Sequence, residues 1–366
     1  MRRLVVATLL VGLACLPSSS TATPLAEAAR ASWKGLGVPY VRVPDDPGRG
    51  FRWASVRFHD TVVPYSEFGN GISSIAASAD SAVVAPVDSS SGEFEGPLLE
   101  IGADGTTGVV EKHALGIPIA DPLGHHVFWT ARRSEKARLT AYDTRTHSRI
   151  RGPVLRRGTR VYAVDGATAF VSTSISSDVL RAYRWTVGEP GLTEVPLPST
   201  GDGALISDVA GDLVLSSDFE RMMISDQTGN VLSVLPPRLF LGTFSPDARF
   251  IARGGFEVKT LVHDLATGAD VPLRGLGRWR PSDFRWSPTG ALVVSATRRG
   301  VSWDDANPVR RFVCRLPSGR CDNLPGRSAV FLEPLLPSSA LGQFITVMPY
   351  SRIGASKALR AHLSQN

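Results

Sequence analysis

A short unit recurs along this chain and constrains its fold more than any other feature. Its clearest copy reads Phe244-Ser245-Pro246-Asp247, followed by Asp264-Leu265-Ala266-Thr267-Gly268. A second copy of the first half reads Trp286-Ser287-Pro288-Thr289-Gly290. Proline is pre-set for the second position of a tight turn, Asp suits the third, and glycine supplies the positive φ that such turns need. The segments between the turns alternate as strands do. Leu239 to Phe244, Arg249 to Arg253, Lys259 to Asp264 and Val271 to Leu273 read as four antiparallel strands in about 40 residues.

Five other units align on the same two turns. Ser78-Ala79-Asp80-Ser81 pairs with Ala103-Asp104-Gly105, and Asp121-Pro122-Leu123-Gly124 with Asp143-Thr144-Arg145-Thr146. Asp165-Gly166 pairs with Val187-Gly188, Ala210-Gly211-Asp212 with Asp226-Gln227-Thr228-Gly229, and Ser287-Pro288-Thr289-Gly290 with Pro317-Ser318-Gly319. Strand pairs remain at both ends. Val330 to Leu336 and Gln343 to Met348 read as the first two strands of a unit, and Arg52 to Phe58 and Thr61 to Tyr65 as the last two. Joining them removes the open edges at a ring junction. The expected fold is therefore all-β: a single β-propeller of seven four-stranded blades, closed by N- and C-terminal strands. Six blades with a loose N-terminal arm is the alternative. A length of 366 residues ordinarily allows two or three domains, but repeats sharing one core override that prior.

The N-terminus has the organisation of an export signal. Met1-Arg2-Arg3 is a positive start, and Leu4 to Ala14 is an apolar run too short for a stable anchor. Ser20-Thr21-Ala22 places small residues before a cleavage point. The expected organisation is a signal peptide over 1–22, a flexible segment over 23–37, the propeller over 38–354 and a tail over 355–366. Cleavage after Ala28, or lipidation at Cys15, is the alternative, although Gly12 stands where a lipobox wants Leu. No later segment is apolar enough to cross a membrane. An extracellular or cell-envelope location supplies an oxidising compartment. Cys314 and Cys321 flank the Leu316-Pro317-Ser318-Gly319 turn, where two strands bring facing residues within disulfide reach.

The aromatic-Ser-Pro-Asp/Thr turn with a downstream Asp-Leu-x-Thr-Gly turn resembles the WD40-like, TolB-type propeller repeat. The resemblance is specific around Phe244 and Trp286 and weaker in the four preceding units. It implies a scaffold: an exported binding protein, or a propeller domain attached to an enzyme.

No Gly-x-Ser-x-Gly elbow, His-Glu-x-x-His, Gly-Lys-Ser/Thr loop or Cys-x-x-Cys occurs. No cofactor and no metal site is expected. His125-His126 sits after a turn, where alternation sends the two rings to opposite sheet faces. Asp304-Asp305 with Asn307 is the nearest approach to a calcium loop. Asp80, Asp104, Asp143, Asp226, Asp247 and Asp264 are expected to cap their own turns. A net charge of +6, with arginine far outnumbering lysine, reflects either composition bias or an anionic partner. Nucleic acid is excluded as a partner by export and the absence of its motifs.

Propeller topology sends the loops between second and third strands, and those between blades, to one face. The first class holds Arg132, Arg133, Arg298, Arg299 and Trp303. The second holds Arg156, Arg157, Arg278, Trp279 and Arg280, within an Arg274–Arg280 run. Arginine beside exposed tryptophan suits an acidic or sugar-bearing ligand. The expected function is non-catalytic binding, by a monomer, of a protein or an anionic envelope polymer. The alternative is a channel-sited lyase, glycosidase or lactonase, for which Asp208 and Asp283 beside Arg285 are the inner-strand candidates.

Overall fold

The computed structural model describes residues 40–42, 55–64, 72–86, 95–133, 136–156, 159–174, 180–198, 204–217, 221–235, 242–253, 261–298, 309–324 and 328–329. The chain divides into two units, Met1–Arg30 and Ala31–Asn366, and every described residue lies in the second.

All the described regular elements are strands. The first three are β1 (Tyr40–Arg42), β2 (Ser55–Phe58) and β3 (Thr61–Pro64). Then come β4 (Ile72–Ala77), β5 (Ser81–Pro86), β6 (Glu95–Gly102), β7 (Thr107–Ala120), β8 (His126–Arg133), β9 (Lys136–Asp143) and β10 (Ser148–Arg156). The next run is β11 (Arg160–Asp165), β12 (Thr168–Ser174), β13 (Leu180–Thr186) and β14 (Thr193–Val195). It is followed by β15 (Leu205–Ala210), β16 (Leu213–Ser217), β17 (Met222–Asp226) and β18 (Val231–Leu235). After these lie β19 (Thr243–Phe244), β20 (Phe250–Arg253), β21 (Leu261–Asp264) and β22 (Ala269–Asp270). The last are β23 (Trp279–Trp286), β24 (Leu292–Arg298), β25 (Val309–Arg315), β26 (Arg320–Asn323) and β27 (Ser328–Ala329).

Every pairing between the described strands is antiparallel, and the sheets are small meanders: β11 to β14, β15 to β18, β19 to β22 and β23 to β26 each form four strands in chain order. A seven-stranded sheet runs from β4 to β10. Within it, β7 pairs through Thr107 to Leu115 with β6 and through Ala114 to Ala120 with β8. One strand thus serves as the outer edge of one four-stranded unit and the inner edge of the next. This is the all-β architecture of a propeller.

The core lies between sheets. Inner and middle strands are covered on both faces, so they read as nearly continuous apolar runs: four of the six residues of β11 are buried in succession. Phe128, Leu139 and Val161 pack with Trp185, joining β8 and β9 to the next sheet, and the Phe128 and Trp185 rings meet edge to face at 6.1 Å. Phe250 and Val262 pack against Trp279, Phe284 and Leu292 in the same way. Turns add polar ties between sheets. Asp121 Oδ2 accepts from the Gly166 N–H (2.9 Å), Asp208 Oδ2 from the Phe244 N–H (2.6 Å), and Trp286 Nε1 donates to Thr243 Oγ1 (3.2 Å). Arg285, buried on β23, donates to the carbonyl of Ile75 on β4 (2.7 Å), linking the last full sheet back to the first.

Closure uses both ends of the chain with a division of strands unlike the expected two plus two. The sheet order is β27-β1-β2-β3, so one C-terminal strand joins three N-terminal ones. Tyr40–Arg42 takes the second place, pairing with both Ser328–Ala329 and Ser55–Arg57. Residues 330–336 and 343–348 lie outside the described residues, as do 1–39 and 355–366. In the clearest unit the fourth strand is Ala269–Asp270, earlier than Val271 to Leu273. The Gly268 N–H closes a turn onto the Asp264 carbonyl, so pairing starts immediately after it.

Candidate functional site

One cavity of about 450 Å³ opens where the inner strands converge. Its wall takes residues from β4, β7, β11, β15, β19 and β23, and always from the end where each strand turns outward to the next. Register slips between Ile72 and Ser74, Val161 and Ala163, Ile206 and Asp208, and Pro281 and Asp283 insert a bulge at the same place in four of these strands. Bulges sharpen local twist and re-aim side chains.

Four carboxylates belong to the lining: Asp121, Asp165, Asp208 and Asp247. Three of them are also tied locally, and Asp165 bonds to the Gly211 backbone. Asp121 Oδ1 accepts from the Leu123 N–H (2.9 Å), Asp208 Oδ1 from the Val209 N–H (2.9 Å) and Asp247 Oδ1 from the Ser245 hydroxyl (2.5 Å). Burial holds the Asp165 carboxyl above the usual aspartate range, and the charges of Asp121 and Asp212 push in the same direction. Of the inner-strand candidates, Asp208 reaches this cavity; Asp283 lies on β23, with its side chain outside the described set. Asp121 and Asp165 were readable in the sequence only as turn residues.

The basic segments lie at the other end of the strands. Arg133 closes β8, Lys136 opens β9 and Arg156 closes β10, and register pairs Arg133 with Lys136 and Lys136 with Arg156. Arg132 stands one position further in, opposite Ala137. Trp279 opens β23 directly opposite Arg298, the last residue of β24. These strand ends are remote from the turns that line the cavity. The register therefore forms two basic groups, one on each of two sheets. Lys136, Arg156, Arg278 and Arg280 are exposed, and among the described residues none has a carboxylate within ion-pair distance. Arg157, Arg299 and Trp303 lie outside the described residues.

Two expectations about this face change. Trp279 is only 6% exposed and belongs to the core, so it offers no free stacking surface. Instead the Arg310 guanidinium lies 4.8 Å from its ring centroid, a cation-π contact unforeseen because Arg310 is distant in sequence. Arg274 leaves the group altogether. Its N–H donates to the Gly319 carbonyl (2.7 Å), and its own carbonyl accepts from the Cys321 N–H (2.8 Å), beside the turn between β25 and β26. The backbones approach so closely that a Cβ on Gly275 (φ +87) would sit 2.4 Å from the Cys321 carbonyl oxygen.

The turn carboxylates cap as expected at Asp104, Asp143, Asp226, Asp247 and Asp264, each accepting a backbone N–H two residues on. Asp80 departs from this. Its Oδ2 lies 2.6 Å from His125 Nδ1 and accepts from the Thr144 hydroxyl (3.1 Å), tying two turns of neighbouring units together. His126 is held below the usual histidine range, chiefly by burial. Among the described residues no group of His, Cys, Asp and Glu has the arrangement of a metal site. Asp304, Asp305 and Asn307 lie outside them.

No protein-family model matches the chain, and no curated protein sequence matches it. Solved structures similar to it include a chain of the mitotic checkpoint complex, at 13% identity and a TM-score of 0.46, covering 69% of this chain and 76% of that one. TolB from Acinetobacter baumannii is similar at 14% identity and a TM-score of 0.39, over 81% of this chain and 65% of its own. A putative TolB from Agrobacterium tumefaciens is similar at 11% identity and a TM-score of 0.37, over 81% of this chain and 98% of its own.

Proposed function

We propose that this protein is an exported, non-catalytic seven-bladed propeller that binds an anionic ligand, such as a cell-envelope polymer or an acidic protein segment, at its basic loop face. The blade count is supported by dividing the seven-stranded sheet at β7 and by the mixed closure sheet. Export is supported by the signal-like Met1 to Ala22 segment and by the disulfide between Cys314 and Cys321.

One observation carries the binding reading. Lys136 sits opposite Arg156 on β10 and opposite Arg133 on β8, so three cations share one register row. Like charges directly opposite each other destabilise a sheet. A bound anion offsets that repulsion and accepts charge-assisted hydrogen bonds from the row. A pull-down of the protein from cell-envelope fractions tests the reading against an Arg133/Lys136/Arg156→Gln variant. Recovery of an anionic component by the native chain and its loss in the variant is expected. Equal recovery by both would remove the basic face from the account.

A further inference from the structure

The outer edge of one sheet is unlike the others. Strand β18 pairs with β17 on one side and with no described strand on the other. Four of its five residues, Val231 to Val234, are exposed. Val231, Leu232 and Val234 are 48%, 57% and 57% exposed, three of the seven large apolar side chains that stand exposed among the described residues. Sheets ordinarily blunt such edges with charge, proline or brevity. The other outer strands follow that rule: Arg149 and Arg151 stand on β10, Glu194 on β14, Asp270 on β22 and Arg320 on β26, and Pro64 ends β3. β18 has neither a charge nor a proline.

The register says what shape of partner fits. Val231 pairs with Ser225 and Val234 with Met223, so the two valines share one sheet face, while Ser233 opposite Ile224 lies on the other and is exposed as well. The edge itself is therefore open, not one face of it. A register slip between Ile224 and Ser225 leaves Leu232 with no opposite residue on β17. An added strand suits this edge: it takes the free backbone groups and covers the valines with cross-strand neighbours.

We propose that the edge of β18 pairs antiparallel with β18 of a second copy of this chain, joining two sheets into one. The segment matches itself. Run against its own copy, Val-Leu-Ser-Val-Leu sets apolar and hydroxyl side chains against one another and brings no like charges together. An interface between two identical patches needs that self-complementarity. Two copies of β10 lack it, because they would bring Arg149, Arg151 and Arg156 of both chains together. One strand pair is small beside the roughly 1,200–2,000 Å² of a stable interface, so the dimer is a weak one that forms as concentration rises.

Analytical ultracentrifugation of the full chain from about 5 μM to about 500 μM tests this, with amide hydrogen exchange at both ends of the series. The native chain is expected to pass from monomer toward dimer, and the amides of Val231 to Leu235 to exchange more slowly at the high end. Leu232→Lys and Val234→Lys, both at exposed positions, are each expected to weaken dimerisation at least about tenfold. Val154→Lys, the same kind of change at an exposed site on β10, is expected to leave it as in the native chain. A chain that stays monomeric through the series overturns the proposal, whatever else that edge binds. So does a dimer that forms without slowing those amides, that survives both β18 lysines, or that Val154→Lys weakens equally. The native concentration series with its exchange pattern decides the matter whether or not each variant folds.

Discussion

Trp129 and Trp185 are both shut away from solvent, at 0% and 1% exposure, yet they differ in one atom's fate. Trp185 Nε1 donates to the Glu189 carbonyl (3.0 Å), whereas Trp129 Nε1 has no hydrogen-bond partner among the described residues. Replacing each with Phe creates a similar void, but only Trp185→Phe also breaks a bond. Trp185→Phe is therefore expected to cost about 1 kcal/mol more than Trp129→Phe in chemical denaturation. Asp226 gives a second check. Its carboxylate accepts from the Thr228 and Asn230 side chains and from both their backbone N–H groups, which lowers its pKa from 3.8 to about 2. A carboxyl group depressed in the folded state stabilises it above the unfolded pKa and loses that contribution as pH falls through the folded one. The stability difference between the native chain and Asp226→Ala is thus expected to be full at pH 6 and to vanish between about pH 4 and pH 2. The Asp226 role was legible because an Asx turn is a local device. The Asp80 role was not, since its partners His125 and Thr144 stand 45 and 64 positions away.

Between elements, the same division holds. Turns at Asp165-Gly166, Ala210-Gly211 and Ser245 to Ala248 were readable from proline, aspartate and glycine chemistry, and each joins the paired strands expected of it. β1 was not, because three residues, Tyr40–Arg42, carry no alternation pattern long enough to detect. The double use of β7 was equally hidden, since a strand serving two units has no turn at its middle to mark the passage. The burial of Trp279 follows from the preceding sheet, β19 to β22, packing against it, a fact of packing that its arginine flanks conceal. Cys314 and Cys321 face each other on β25 and β26 and form the expected disulfide, with both residues buried. Closing so short a loop restricts the unfolded chain modestly, and a Cys314→Ala/Cys321→Ala variant is expected to lose about 2–3 kcal/mol. An unchanged denaturation midpoint would show that the staple adds nothing to this sheet.

At the scale of the whole molecule, strand order separates the described turn carboxylates from several described cations at the opposite strand ends. Turn carboxylates gather at the cavity end, where several arginines are neutralised: Arg249 by Asp264 at 3.0 Å, Arg145 by Asp143 at 3.8 Å and Arg320 by Asp322 at 3.6 Å. The opposite strand ends hold Lys136, Arg156, Arg278 and Arg280 without such partners among the described residues. This polarity was half legible. Strand order alone puts the strand ends at Arg133, Lys136 and Arg156 opposite the turns, as the register has them, but the carboxylates of the cavity needed the fold, because each explains itself locally as a turn residue. The most direct test is a titration of the protein with a polyphosphate chain over a series of salt concentrations. It compares the native chain, the Arg133/Lys136/Arg156→Gln variant and a control with the same charge removed at the other end, Arg145/Arg315/Arg320→Gln. The native chain and the control are expected to bind with the same affinity and the same steep loss on adding salt. The basic-row variant should bind at least about tenfold more weakly, with a shallower salt slope. Equal weakening in both variants would contradict it, since binding would then follow net charge rather than the basic face.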